Sequence, residues 1–420
     1  MRILGDDQLA GVLEGLGQPE PRVVVPGNCA TPTHLVGIVD RSLERYRLFS
    51  LNAQHGLPQR PGVVHETPFI GPAVRDQAGL AYIPMRLSLV PRLFAAARPP
   101  DVVLLHTSPP RHNTVSLGIE VNILPAAVER VRARGGLVIA QVNPAMPYTF
   151  GDAELDLEAV DIVVEAEEAL HHPTVRAADA LTEHIGRLVG ELVPDGATLQ
   201  VGIGQVPDAT VTTLHDRSGL SVWSEMISDG VLALERSGAM RDDRPLRSSF
   251  VAGSRDLYDW CDANPRLEMV RTERSNDPSL IASMPAMTSI NTALQVDLFD
   301  QANASYVKHR VFSGFGGQTD FIVGALHCGD GLAVVALPSW HEKSASSTIV
   351  PLIDGPVTSF QHSVIVTEQG RAQMFGLTRQ MQGRQLIEHA AHPDARDQLI
   401  EAAARLGIGA EPGARSADLQ

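Results

Sequence analysis

A chain of 420 residues is long for a single core, and at about 150 residues per domain it predicts two or three, of which two is the working expectation. Hydrophobic residues at 44% and charged residues at 20% supply enough apolar material for large cores and argue against disorder. A formal net charge of −15 argues against a nucleic-acid partner, because a phosphate backbone needs a Lys/Arg surface to displace its counterions.

The first residues, MRILGDDQLAGVLEGLG, carry acids where a secretory signal wants basic and then apolar residues. No run of about 18 apolar residues follows anywhere, so no membrane span is expected and the cytoplasm is the simplest location. Cys29, Cys261 and Cys328 are far apart and lack a C-x-x-C partner, which predicts buried thiols rather than a disulfide framework or a zinc site. The histidines are scattered, and no metal is expected.

Along the chain, runs rich in Val, Ile and Leu recur at residues 22–26, 101–106, 136–142, 198–202, 332–337 and 363–367, separated by helix-like stretches. Continuous apolar runs of this length suit strands buried on both faces of a sheet with a parallel component. The fold class is therefore α/β. The first such run leads through Gly27 to Pro32 and then into a helical pattern, and the run near the middle does the same from Gly202 to Pro207 at the same separation. Glycine permits a tight exit from a strand, and proline at the first helical position forgoes a donor the helix cannot use. Each turn opens a unit of similar build, so two comparable open-sheet α/β domains are expected, 1–187 and 188–420.

The run SGFGGQTDF at residues 313–321 holds Gly314, Gly316 and Gly317 ahead of an acid and an aromatic. Closely spaced glycines let backbone N–H groups approach an anion or a developing oxyanion, although a tight structural turn uses the same residues. No Gly-x-x-x-x-Gly-Lys run exists, which argues against a P-loop. Around the glycines lie VNPAMPYTFGD at 142–152, DGATLQVGIGQVPDA at 195–209, SEMISDG at 224–230, TSINTALQVDLFD at 288–300 and VIVTEQG at 364–370. Together, over almost the whole chain, these resemble the acetyl-CoA hydrolase/transferase family, which includes 4-hydroxybutyrate and acetate CoA-transferases.

The resemblance implies a cleft between two α/β domains in which a glutamate carboxylate attacks an acyl-CoA thioester. It implies CoA as substrate and carrier, no permanently bound cofactor, acyl-CoA and carboxylic acid partners, and a homo-oligomer, commonly a dimer. It carries Gly314, Gly316, Gly317 and Gln318 over as a CoA-facing loop, and Gly202, Gly204 and Pro207 as residues lining the CoA path. It also sets Gln295 at the motif position of the family's glutamate. An amide has no carboxylate to offer, so Gln295 can orient a carbonyl, a water or an acceptor but cannot attack. Glu225 and Glu368, each near the end of an apolar strand-like run, are the other candidate carboxylates, and Asp297 would share a strand face with Gln295. Lys343, Arg371 and Arg379 are candidates for the CoA pyrophosphate, with solvated surface charge as the competing role. Two readings follow: transfer or hydrolysis of an acyl-CoA, or a CoA-binding protein without catalysis.

Overall fold

The computed structural model describes residues 1–174 and 177–409. The apolar runs are strands, and most belong to two sheets. The first sheet has eight strands, all parallel, in the spatial order Arg2–Ile3, Ile162–Glu165, Leu137–Val142, Val102–Thr107, Arg22–Val24, Tyr46–Phe49, Val63–Thr67 and Leu80–Tyr82. The second has nine, ordered Gly370–Gln373, Val364–Thr367, Leu332–Ala336, Met287–Thr292, Thr198–Val201, Ser221–Ile227, Leu246–Val251, Leu267–Met269 and Phe150–Gly151. Only its Gly370–Gln373 edge is antiparallel. The expected pair of open α/β sheets is present.

Both sheets have the same winding. From a central strand, Arg22–Val24 or Thr198–Val201, the chain adds strands to one side, then crosses back and adds strands on the other. The order reverses between Arg22–Val24 and Val102–Thr107 in the first sheet, and between Thr198–Val201 and Met287–Thr292 in the second. The two glycine turns read from the sequence leave those central strands, so each opens at a reversal point. Their prolines differ: Pro32 precedes the helix Thr33–Ser42, whereas Pro207 is the third residue of the helix Gln205–Val211. In both positions the missing N–H costs little, since a helix leaves its first donors unpaired.

Strand alternation sorts the core into layers. Val103 and Leu105 point into one large cluster shared with Leu199, Val201 and Val334 of the second sheet, while Val102 and Leu104 face an outer layer with Ile139. Val335 and Ile365 fill the outer layer of the second sheet. The middle layer thus joins the sheets, and backbone contacts reinforce it. The Val121 amide donates to the Ser249 carbonyl at 2.9 Å and the Val251 amide to Ile119 at 2.8 Å. Phe150–Gly151, from the first half of the chain, pairs with Leu267–Met269 at the edge of the second sheet. The boundary expected at 187/188 falls inside the helix Ala180–Gly190, whose N-cap Asp179 accepts the Thr182 amide at 2.8 Å. We propose that the units divide ahead of Asp179. Cys29, Cys261 and Cys328 are buried free thiols.

Candidate active site

The glycine run folds back against both halves. Phe69 of the first half bridges to Gly314, and the Leu87 amide donates to the Gly316 carbonyl at 2.9 Å. Gly317 then precedes the helix Gln318–His327. A side chain at 317 would overlap the Glu225 carboxyl and the Asn276 amide, so glycine here is a matter of space. The backbone at 317 lies directly over a carboxylate.

Glu225 is within the strand Ser221–Ile227 rather than in a loop beyond it, and it is partly exposed at the face where the glycine turn sits. Burial of its carboxyl is the largest influence on its acidity and pushes it up to about 8. The nearby Asp320 acts in the same direction, while the Asn276 side chain and the Gly317 amide favour the anion. Asp320, fully buried, is itself raised by burial to about 6, opposed by hydrogen bonds from the Ser88 amide at 3.1 Å and the Ser88 hydroxyl at 2.8 Å. The result is two close carboxyls of unequal acidity under one glycine turn. Such separation is what acid/base and nucleophilic sites need.

Asn276 reaches this place from a short helix, Thr272–Ser275, tied to the first half because the Thr272 amide donates to the Asn122 carbonyl at 3.0 Å. Its Oδ1 accepts from Ser275 Oγ at 2.7 Å, which leaves the buried amide nitrogen unpaired on the side where Gly317 and the Glu225 carboxyl meet. Neither Asn276 nor Asp320 was marked by sequence reasoning. Asp320 lies in the quoted glycine run, and its signal was available there.

The remaining candidates fall elsewhere. Gln295 begins a short strand, Gln295–Asp297, in a separate four-stranded sheet, paired with Asn303. Its side chain makes no hydrogen bond among the described residues. Asp297 is buried and saturated: it accepts from the Phe299, Gln301 and Ile353 amides and from Gln301 Nε2. That is an anchor for a loop, and it removes Asp297 as a helper. Glu368 grips the Ser339 amide at 2.8 Å and the Ser339 hydroxyl. Burial pushes its carboxyl up, but these bonds and one from Gln369 outweigh it and hold Glu368 below the usual range. Arg371 is committed to Glu191 and the Leu188 carbonyl, and Arg379 lies over the Phe299 ring at 5.5 Å. Lys343 is exposed.

Gly202 and Gly204 flank Ile203, which is 54% exposed although apolar, at the reversal point of the second sheet. Open α/β sheets bind ligands outside the carboxyl ends of their strands at such points.

Matches to known proteins identify the family. The profile of the acetyl-CoA hydrolase/transferase N-terminal domain matches residues 60–172, and that of the C-terminal domain matches 253–403. The chain is 34% identical to a succinyl-CoA:acetate/propanoyl-CoA:succinate CoA transferase of Fasciola hepatica, covering 91% of this chain and 84% of that one. This protein belongs to the acetyl-CoA hydrolase/transferase family. It is also 36% identical to the 4-hydroxybutyrate coenzyme A transferase of Clostridium kluyveri over 80% of this chain and 81% of that one. Among solved structures, RipA from Yersinia pestis superposes with a TM-score of 0.89 at 26% identity, over 97% of this chain and 98% of that chain. The protein is an acyl-CoA-processing enzyme of this family. Among the described residues no helix is long and apolar enough to cross a membrane, and no three His, Cys, Asp or Glu side chains gather to hold a metal.

Proposed function

We propose that this protein moves CoA between carboxylic acids, with Glu225 as the nucleophile. The observation that carries the reading is the placement of the Glu225 carboxyl against the Gly317 backbone and the Asn276 amide, beside Asp320. In the first step a Glu225 oxygen attacks the thioester carbonyl and the C–S bond breaks, giving an acyl-glutamyl anhydride and CoA thiolate. The thiolate attacks the glutamyl carbonyl, releases the first acid as its carboxylate, and leaves CoA on Glu225 as a thioester. A second carboxylate reverses both steps and departs as the new acyl-CoA. Gly317 and Asn276 are the donors in place to stabilise each oxyanion. We read Gly314, Gly316 and Gln318 as the CoA-facing side of the cleft, and Gly202, Gly204 and Pro207 as lining the CoA path.

On this reading the glutamine at 295 costs the enzyme nothing, because the attacking carboxylate comes from 225. Glu368, held as an anion by Ser339, positions a loop. Hydrolysis needs only water in place of the second acid. A mass-resolved assay with acetyl-, propionyl-, butyryl- and 4-hydroxybutyryl-CoA, with and without acetate, separates the two. Exchange into acetate supports transfer; free CoA formed at the same rate without acetate supports hydrolysis. A cytoplasmic homodimer is the accompanying expectation, and light scattering tests the oligomer.

A further inference from the structure

Beside the glycine turn lies a row of side chains that the chemistry above does not use. Asp300, His362 and Ser359 are all buried. Asp300 Oδ2 accepts the His362 backbone N–H at 2.8 Å, and Asp300 Oδ1 pairs with His362 Nδ1 at 2.7 Å. His362 Nε2 lies 3.0 Å from Ser359 Oγ. Gln318 Nε2 donates to the same Oγ at 3.3 Å, and Gln318 follows Gly317 directly.

With a single N–H on the His362 ring, the direction of every bond in this row follows from its buried end. A carboxylate only accepts, so the ring proton sits on Nδ1 and Nε2 is the acceptor for the Ser359 hydroxyl. The Ser359 oxygen, having donated its proton, accepts from the Gln318 NH2. That orientation leaves Gln318 Oε1 pointing away from Ser359, and it makes no hydrogen bond among the described residues.

We propose that Asp300, His362 and Ser359 form a positioning relay that holds the Gln318 amide in one orientation, so that Oε1 accepts an N–H of the pantetheine arm of CoA beside Glu225. The proposal rests on the cleft reading above but not on which carboxylate attacks. Ser359, in the arrangement of a hydrolytic triad, is a spacer: its hydroxyl is covered by Gln318.

One substitution reverses the relay without deleting an atom. In Asp300→Asn the amide oxygen must face the His362 backbone N–H, since two donors cannot meet, so the new NH2 faces Nδ1. The ring proton then moves to Nε2, Ser359 accepts from it and donates onward, and Gln318 must turn Oε1 inward. Asn also tolerates the left-handed φ of 59° at this position. The experiment is a double-mutant cycle on the dissociation constant of CoA, using Asp300→Asn, Gln318→Leu and the double variant. Each single variant is expected to weaken CoA about tenfold, the effect of one misdirected hydrogen bond, and the double variant to be no weaker than Gln318→Leu alone. Ser359→Ala run through the same cycle gives the same pattern if Asp300→Asn does not fold.

Losses that multiply in the double variant, or unchanged CoA affinity in both single variants, overturn the proposal. So does acylation of Ser359 seen by peptide mass mapping after incubation with acetyl-CoA, which would make it a nucleophile. Because the readout is CoA binding, failure of the Glu225 assignment is seen separately, as turnover retained by Glu225→Gln.

Discussion

The two reversal points share a topology and differ in what fills them. In the first sheet the turn after Arg22–Val24 is closed by the chain's own carboxylate: Glu120 Oε1 accepts from the Gly27 amide at 3.1 Å and from Asn28 Nδ2 at 3.0 Å, and Asn52 Nδ2 donates to Asn28 Oδ1 at 2.8 Å. In the second sheet the amides of Ile203 and Gly204 donate to no group among the described residues, and Glu225 is partly exposed beneath the glycine turn. The first turn pairs its amide with a carboxylate of its own half, while the second leaves the corresponding amides without a partner among the described residues. Burial and charge alone do not separate the two glutamates, since burial also pushes Glu120 up, to about 7. Access does, because Glu120 is 2% exposed whereas Glu225 is partly exposed.

The comparison breaks first at Glu225. Glu225→Gln is expected to lower thioester turnover by roughly a thousandfold or more, as loss of a covalent nucleophile does, while the fold survives. Gly317→Ala should cost about a hundredfold in kcat, because a methyl there displaces the Glu225 carboxyl and the Asn276 amide together, and circular dichroism should show the fold intact. The pH profile sharpens the assignment. Attack requires the anion, so kcat/KM of the free enzyme should rise with pH and level off above about 8.

Glu120 should behave in the opposite way, in stability rather than rate. Its folded carboxyl titrates at about 7, above the ordinary range, so the stability it supports is full below that range and is lost as pH rises through about 7. Glu120→Gln should remove that part of the slope, raising the Tm at pH 8 by about 2–4 °C with little change at pH 5, and leave turnover within about twofold. The smallest expected effect is at Gln295: Gln295→Glu should change turnover by less than about twofold, because a carboxylate there has no donors arranged around it. A large gain from Gln295→Glu would return the nucleophile to that strand.

Much of the architecture was legible because parallel strands buried on both faces write themselves as unbroken Val/Ile/Leu runs, and all six such runs are strands. The paired Gly-to-Pro turns also marked the reversal points, although the sequence could not say which one was open. That depends on Glu120, far from Gly27 in the chain, filling the first. The boundary expected at 187/188 lies within the helix Ala180–Gly190, because a helix pattern does not announce which domain it caps. Within the site, the glycine run and Glu225 were visible separately, but their contact was not. Gln295 drew attention by alignment of a motif, whereas the grouping of Glu225 with Asn276, Asp320 and Ser88 is made by chain crossings that no local pattern records.

The most direct test of the account is to trap the enzyme-CoA thioester. The protein is incubated with an acyl-CoA it turns over, reduced with borohydride, and mapped by peptide mass spectrometry. Reduction of Glu225 to the corresponding alcohol, dependent on acyl-CoA and absent after acid competes the CoA away, is the predicted result. Modification of another carboxylate, or full turnover with Glu225 never modified, would contradict the assignment of the nucleophile.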